Sequence, residues 1–176
     1  GFVDLQVNGG GGLLFNHFPT LSTLEKMISA HSRYGTTSML PTVITSDIST
    51  IRRAADAVSE AISKKLPGVI GIHFEGPHIS AAKKGIHDAS QIRELSDEEM
   101  AIYSRQDLGY RLLTVAPENV SSRQIHQLKE CGVKVCIGHS GSTYQRAMSA
   151  ISAGATGFTH LFNAMSPLTS REPGVV

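Results

Sequence analysis

The chain has 176 residues, 40% of them hydrophobic and 18% charged, a composition that suits a folded domain with a substantial core. Lys+Arg 16 against Asp+Glu 15 leaves a formal charge of +1, which offers no basic footprint for a nucleic acid. No apolar run approaches the ~20 residues of a membrane-spanning helix.

The two cysteines, Cys131 and Cys136, lack the spacing of a structural zinc site and are read as reduced. The bland composition fits a cytoplasmic protein. The segment GFVDLQVNGG is strand-like from Gly1, with no leader before it, and SREPGVV closes the sequence without a helix. A chain cut at both ends is therefore expected, and no signal peptide is visible.

Taken in order, strands are expected at Phe2–Val7, Ser38–Ile44, Gly68–Phe74, Arg111–Val115, Val133–Ile137 and Gly157–Phe162. Several are continuous and β-branched, as in strands buried on both faces. The Gly9–Gly12 run lacks the Gly-Lys-Ser/Thr and the GxGxxG spacing of a phosphate cradle and reads as a flexible loop.

Helices are expected between the strands. Leu24, Met27, Ile28 and His31 share one face ahead of Gly35. Ile51, Ala54, Ala55, Val58 and Ile62 form a second stripe, ended near Pro67-Gly68. Ser96-x-x-Glu99 is a capping box. Ile125 and Leu128 precede Gly132, and Ala147, Met148 and Ile151 precede Gly154, both glycines suiting a left-handed helix end.

The alternation makes about six β/α units and argues for a parallel sheet. The expected class is α/β, a (β/α)8 TIM-type barrel of which residues 1–176 hold a partial domain. An open doubly wound sheet is the alternative.

Polar residues gather where the expected strands end: Gln6-Val-Asn8, His73-Phe-Glu75-Gly-Pro77, Gly138-His139-Ser140 and Thr159-His160-Leu-Phe-Asn163-Ala164. In a β/α barrel that rim carries the active site. Two imidazoles and a carboxylate, His139, His160 and Glu75, suit a divalent metal with a position open to water. The alternative is three unrelated polar residues, each satisfied locally. His73 alternates with Glu75 and so shares its face, as a support or as a satisfied core histidine. His78 could line the rim. His17, His31 and His126 read as structural or solvated, and Lys83 and Lys84 as a solvated pair, with attraction of an anionic substrate as the alternative.

The successive motifs His-Phe-Glu75-Gly-Pro, Lys83-Lys84-Gly-x-His87, Ala116-Pro117-Glu118, Gly138-His139-Ser140, Thr159-His160-Leu-Phe-Asn163-Ala-Met165 and Arg171-Glu-Pro-Gly174 resemble, in order and along nearly the whole chain, those of N-acetylglucosamine-6-phosphate deacetylases of the amidohydrolase superfamily. The resemblance implies that Glu75, His139 and His160 bind the metal and that His87 contacts the sugar. It places the phosphate on the backbone near Asn163-Ala164, with Arg171 reaching a phosphate from the neighbouring subunit of a homodimer. It implies one zinc or iron ion, because Gln6-x-Asn8 stands where many amidohydrolases carry His-x-His, and amides are poorer ligands than imidazole.

The implied reaction hydrolyses the N-acetyl amide of N-acetylglucosamine 6-phosphate, giving glucosamine 6-phosphate and acetate. The galactosamine epimer, a cyclic-amide hydrolase and a non-catalytic phosphosugar-binding fragment are the alternatives. Neither the family's small β-sandwich domain nor its late-strand catalytic aspartate has a counterpart in this chain, so residues 1–176 by themselves are expected to be inactive.

Overall fold

Short strands followed by amphipathic helices recur along residues 1–176, all of which the computed structural model describes. The chain divides into two compact units, Gly1–Phe74 with Arg105–Arg111, and Glu75–Ser104 with Leu112–Val176.

In the first unit, β1 (Phe2–Val7) pairs in parallel with β4 (Thr36–Ile44), Phe2 opposite Thr36 and Val7 opposite Pro41. Between them β2 (Gly9–Gly10) pairs antiparallel with β3 (Leu13–Leu14). The turn residues Gly11 and Gly12 have φ of 60° and 80°. A two-residue hairpin turn of type I′ needs φ > 0 at both central positions, which glycine adopts freely. The glycine run expected to be a flexible loop is thus a defined hairpin.

Helix α1 (Leu21–Ser32) is capped by the Thr20 side chain and buries Thr23, Leu24 and Met27. Helix α2 (Ile48–Ser63) is capped by Asp47 and buries Ile51, Ala54, Ala55 and Val58 of the stripe its spacing predicts, Ile62 being half-buried. Each fully buried Leu, Ile or Met stabilises by about 1.5–3 kcal/mol. The Arg105–Arg111 segment is tied to α2 by Arg105–Asp56 (2.6 Å) and Ser59–Asp107 (2.7 Å). Strand β5 (Gly71–Glu75) begins three residues later than expected, Gly68 being left-handed at φ 91°.

In the second unit, β7 (Lys134–Ile137) pairs in parallel with β6 (Tyr110–Val115) on one side and β8 (Gly157–Phe158) on the other. Helix α3 (Asp97–Tyr103) carries the expected Ser96/Glu99 capping box, and α4 (Ser122–Glu130) a second one from Ser121 and Gln124. Helix α5 (Tyr144–Ala153) starts on Thr143 and packs on α4. It buries Ala147 and Ala150, while Met148 and Ile151 are exposed, so the apolar stripe expected for this helix is rotated. The last expected strand, Gly157–Phe162, stops at Phe158. His160 and Phe162 take φ of 35° and 78°, which no strand accommodates.

The six-stranded sheet runs β1-β4-β5-β6-β7-β8. The α/β class is therefore present, but these residues supply six strands and do not form the closed eight-stranded barrel.

Candidate metal centre

Glu75 is the last residue of β5 and is buried. His139 and His160 each stand two residues beyond a strand, β7 and β8 respectively. All three belong to the second unit, and their ligand atoms lie within 4.8 Å of one another. His139 Nε2 is 3.2 Å and His160 Nε2 is 3.4 Å from Glu75 Oε1, and the two Nε2 atoms are 3.0 Å apart.

Main-chain carbonyls orient both rings. His139 Nδ1 is 2.8 Å from the Lys83 carbonyl and His160 Nδ1 is 3.1 Å from the Asn163 carbonyl. A carbonyl only accepts, so each Nδ1 carries the proton and each Nε2 turns a lone pair toward the other and toward the carboxylate. Such an arrangement is self-repulsive unless a cation or an added proton lies between. Tetrahedral zinc at ~2.0–2.1 Å from its ligands spaces them about 3.3 Å apart. The observed edges fit that ion size, and the carbonyls on Nδ1 are the outer hydrogen bonds metal-binding histidines use.

Burial, the largest influence on His139, pulls its pKa down. The Glu75 carboxylate and the Lys83 carbonyl together outweigh it and hold the imidazole above its ordinary value. The backbone is also constrained: His139 and His160 have φ of 47° and 35°, a region that costs a non-glycine residue on the order of 1–2 kcal/mol.

His87 is buried, with its ring 4.5 Å from that of His139. Burial first, opposed by Glu75 and reinforced by His139, His160 and Lys84, pushes its pKa down to about 4. Asn163 and Ala164 lie on the same turn as His160. The Asn163 N–H donates to the His160 carbonyl, and the Ala164 carbonyl accepts from Ser140 N–H at 3.0 Å. Arg171 is exposed, and no hydrogen bond or ion pair joins it to the cluster. Gln6 and Asn8 are half-buried in the first unit.

The other polar residues resolve case by case, His73 as the core histidine that is one of its two readings. His73 is a buried residue of the first unit, 3.3 Å from Thr42 Oγ1. His78 does not line a rim. It is fully buried, its Nδ1 donating to the Arg93 carbonyl (3.1 Å) and its Nε2 accepting from Tyr103 Oη (3.1 Å). Lys83 serves His139 through its carbonyl, not its charge.

Glu118 stands in a motif the sequence singled out, but sequence reasoning gave it no role. Its carboxylate accepts from Ser140 Oγ (2.8 Å), Gly141 N–H (2.6 Å) and Ser142 Oγ (2.8 Å). The signal was available, because Ala116-Pro117-Glu118 and His139-Ser140-Gly141-Ser142 follow neighbouring strands and so meet at one end of the sheet.

Fold and site together define an α/β protein with a carboxylate–bis-imidazole centre suited to a divalent metal. No protein-family model matches the chain. The N-acetylgalactosamine-6-phosphate deacetylase of Shewanella sp. (strain ANA-3) is 57% identical to it, over 100% of this chain and 45% of that protein. The N-acetylglucosamine-6-phosphate deacetylase of Haemophilus influenzae is 40% identical, over 100% of this chain and 46% of that protein. Among solved structures, N-acetylglucosamine-6-phosphate deacetylase from Pasteurella multocida superposes with a TM-score of 0.95 at 41% identity, over 100% of this chain and 47% of that one. A mutant of the Mycobacterium smegmatis enzyme in complex with N-acetyl-D-glucosamine-6-phosphate superposes at 0.92 with 33% identity, over 99% of this chain and 46% of that one. The chain thus spans a little under half the length of these relatives. Along its whole length it is homologous to the N-acetyl amino-sugar 6-phosphate deacetylases, which are hydrolases.

Proposed function

We propose that the protein carrying this chain hydrolyses the N-acetyl amide of N-acetylglucosamine 6-phosphate, releasing acetate and the amino-sugar phosphate. The observation that carries the reading is the inward convergence of Glu75, His139 and His160. These residues would hold one divalent ion, zinc or iron, both compatible with imidazole and carboxylate donors. Such an ion supplies Lewis acidity at the amide carbonyl and lowers the pKa of water toward ~7.

The remaining roles belong to the chain. His87, neutral with a pKa of about 4, offers hydrogen bonds to a sugar hydroxyl rather than charge. With the Asn163 N–H already committed, the Ala164 N–H and the Asn163 side chain are what that turn presents to the 6-phosphate. Arg171, exposed, reaches a phosphate from the neighbouring subunit of a homodimer, a bidentate task for a guanidinium. Of the acids around the centre, Glu75 is a ligand and Glu118 is engaged by two serines and a backbone N–H. An aspartate outside these residues, at the end of a late strand of a completed (β/α)8 barrel, is assigned to move the proton from water to the leaving amine.

A second reading is the galactosamine epimer, favoured by the 57% identity to a relative of that name. No helix is long and apolar enough to cross a membrane, and a cytoplasmic site of action fits a phosphorylated sugar substrate. The test is acetate release from both epimers by the intact protein, with metal content measured in parallel. Turnover of one epimer at a much higher kcat/KM assigns the substrate. Metal and phosphosugar binding without acetate release from either would mean a non-catalytic binding protein.

A further inference from the structure

The centre's two histidines sit in backbone conformations that do not persist without support. His139 is followed at once by the Ser140-Gly141-Ser142 turn, and three groups of that turn converge on one carboxylate, Glu118. The turn is in addition tied to the segment after His160. Ser140 N–H donates to the Ala164 carbonyl, Ser166 N–H to the Ser140 carbonyl (2.9 Å), and Ser166 Oγ to the Ser142 carbonyl (2.6 Å).

Glu118 is itself held from the Glu75 side. It lies in the turn after β6, where Ala116 N–H donates to the His78 carbonyl (2.8 Å) and Asn119 Nδ2 donates to the Ile79 carbonyl. His78 and Ile79 follow Glu75 by three and four residues. Ser80 N–H donates in turn to the carbonyl of His139 itself (2.8 Å). The chain segments bearing all three candidate ligands are therefore stitched through the His139 turn, and Glu118 is the one charged group engaged in that stitching. Ser140 and Ser142 are buried, so apart from each other (Oγ to Oγ 2.8 Å) their hydroxyls have few acceptors besides Glu118.

From this we infer that Glu118 is a positioning residue for the metal centre: by gripping the Ser140–Ser142 turn it sets the direction of the His139 Nε2 lone pair and, through the Ala164 and Ser166 links, that of His160. The inference rests on the metal-centre reading above. Glu118 touches neither the ion nor substrate in this scheme. Its effect is to keep three ligands at tetrahedral-edge spacing, so its loss changes metal affinity and ligand geometry ahead of any chemistry.

The experiment uses the intact protein, stripped of metal and titrated with Co2+, whose visible absorption reports coordination geometry. Three forms are compared: wild type, Glu118→Gln and Glu118→Ala. Glu118→Gln keeps an acceptor oxygen of the same reach, and Glu118→Ala keeps none. The expected result is a Co2+ Kd weakened about 10–100-fold in Glu118→Ala, with an altered band shape, and an intermediate Kd in Glu118→Gln. Should Glu118→Ala fail to fold, Glu118→Gln and Ser142→Ala, each removing part of the grip, should both weaken Co2+ binding and change its spectrum. Wild-type Kd and band shape in every folded variant overturn the inference, even where Tm falls, because a merely structural role lowers Tm alone. A wild-type protein that takes up no Co2+ defeats the metal-centre reading itself, and this inference with it.

Discussion

His139 and His160 present their Nε2 atoms to each other at 3.0 Å, each ring locked by an Nδ1 hydrogen bond to a main-chain carbonyl. Glu75 Oε1 closes the triangle. Without a bound ion only an added proton relieves the lone pairs and negative charge gathered here, so ion binding and local stability are linked. Replacing Glu75, His139 or His160 with Ala should each reduce bound metal from near-stoichiometric to a small fraction, by elemental analysis after dialysis. Chelation should lower the wild-type Tm, and readdition of metal should restore it. Unchanged metal content in all three variants would contradict the assignment.

Arg171 is exposed, so its removal should leave the fold intact. If it grips the 6-phosphate, Arg171→Ala in the intact protein should lose roughly 1.5–3 kcal/mol of binding, about 10–150-fold in kcat/KM, on the phosphorylated sugar. The unphosphorylated sugar should be affected far less. Equal losses on both substrates would make the arginine structural. If it acts across a dimer, mixing Arg171→Ala with a metal-ligand variant should recover some activity, since one mixed site then has both parts.

His78 is held neutral. Burial pushes its pKa down more than the Glu99 carboxylate, 3.8 Å away, pulls it up, and both ring hydrogen bonds suit the neutral ring. The unfolded chain takes up a proton at this histidine as pH falls through ~6.5, and the folded chain does not. Stability is thus fully present above that pH and is lost as pH falls from there toward the depressed folded value. The urea midpoint of wild type should drop between about pH 7.5 and about pH 5.5, and the drop should be smaller in His78→Gln, which cannot titrate. Equal drops would place the pH sensitivity elsewhere.

Gly138 lies between β6 and the Thr159 turn. A methyl on its Cα would come 2.7 Å from Thr114 Cγ2 and 2.9 Å from Thr159 Cβ, two residues whose hydroxyls are hydrogen-bonded at 2.6 Å. Gly138→Ala should therefore cost about 1–3 kcal/mol of overpacking, read as a lowered Tm. It should also weaken metal binding, because Gly138 and Thr159, the two residues forced apart, directly precede His139 and His160. A variant with wild-type Tm and metal affinity would show that the close approach is soft.

The amino-acid sequence by itself settled what depends on short-range pattern. The β/α alternation, the Ser96/Glu99 capping box, the apolar stripe of α2 and the placement of Glu75, His139 and His160 at or just beyond strand ends are all written in local periodicity and in residue type. What it misjudged is instructive. Gly9–Gly12 reads as slack, yet the hairpin is decided by strands on either side finding each other. The rotation of α5, burying Ala150 and exposing Met148, is decided by what α4 leaves room for. His78 follows the Glu75 motif and looks like a rim residue, but Tyr103 and Arg93 enclose it. Only the tertiary structure could show that Lys83 contributes a carbonyl rather than an ammonium, or that Glu118 grips the His139 turn from 22 residues away. Those choices rest on hydrogen bonds between distant segments. Such bonds depend on where the strand ends bring their loops, and no local spacing records that.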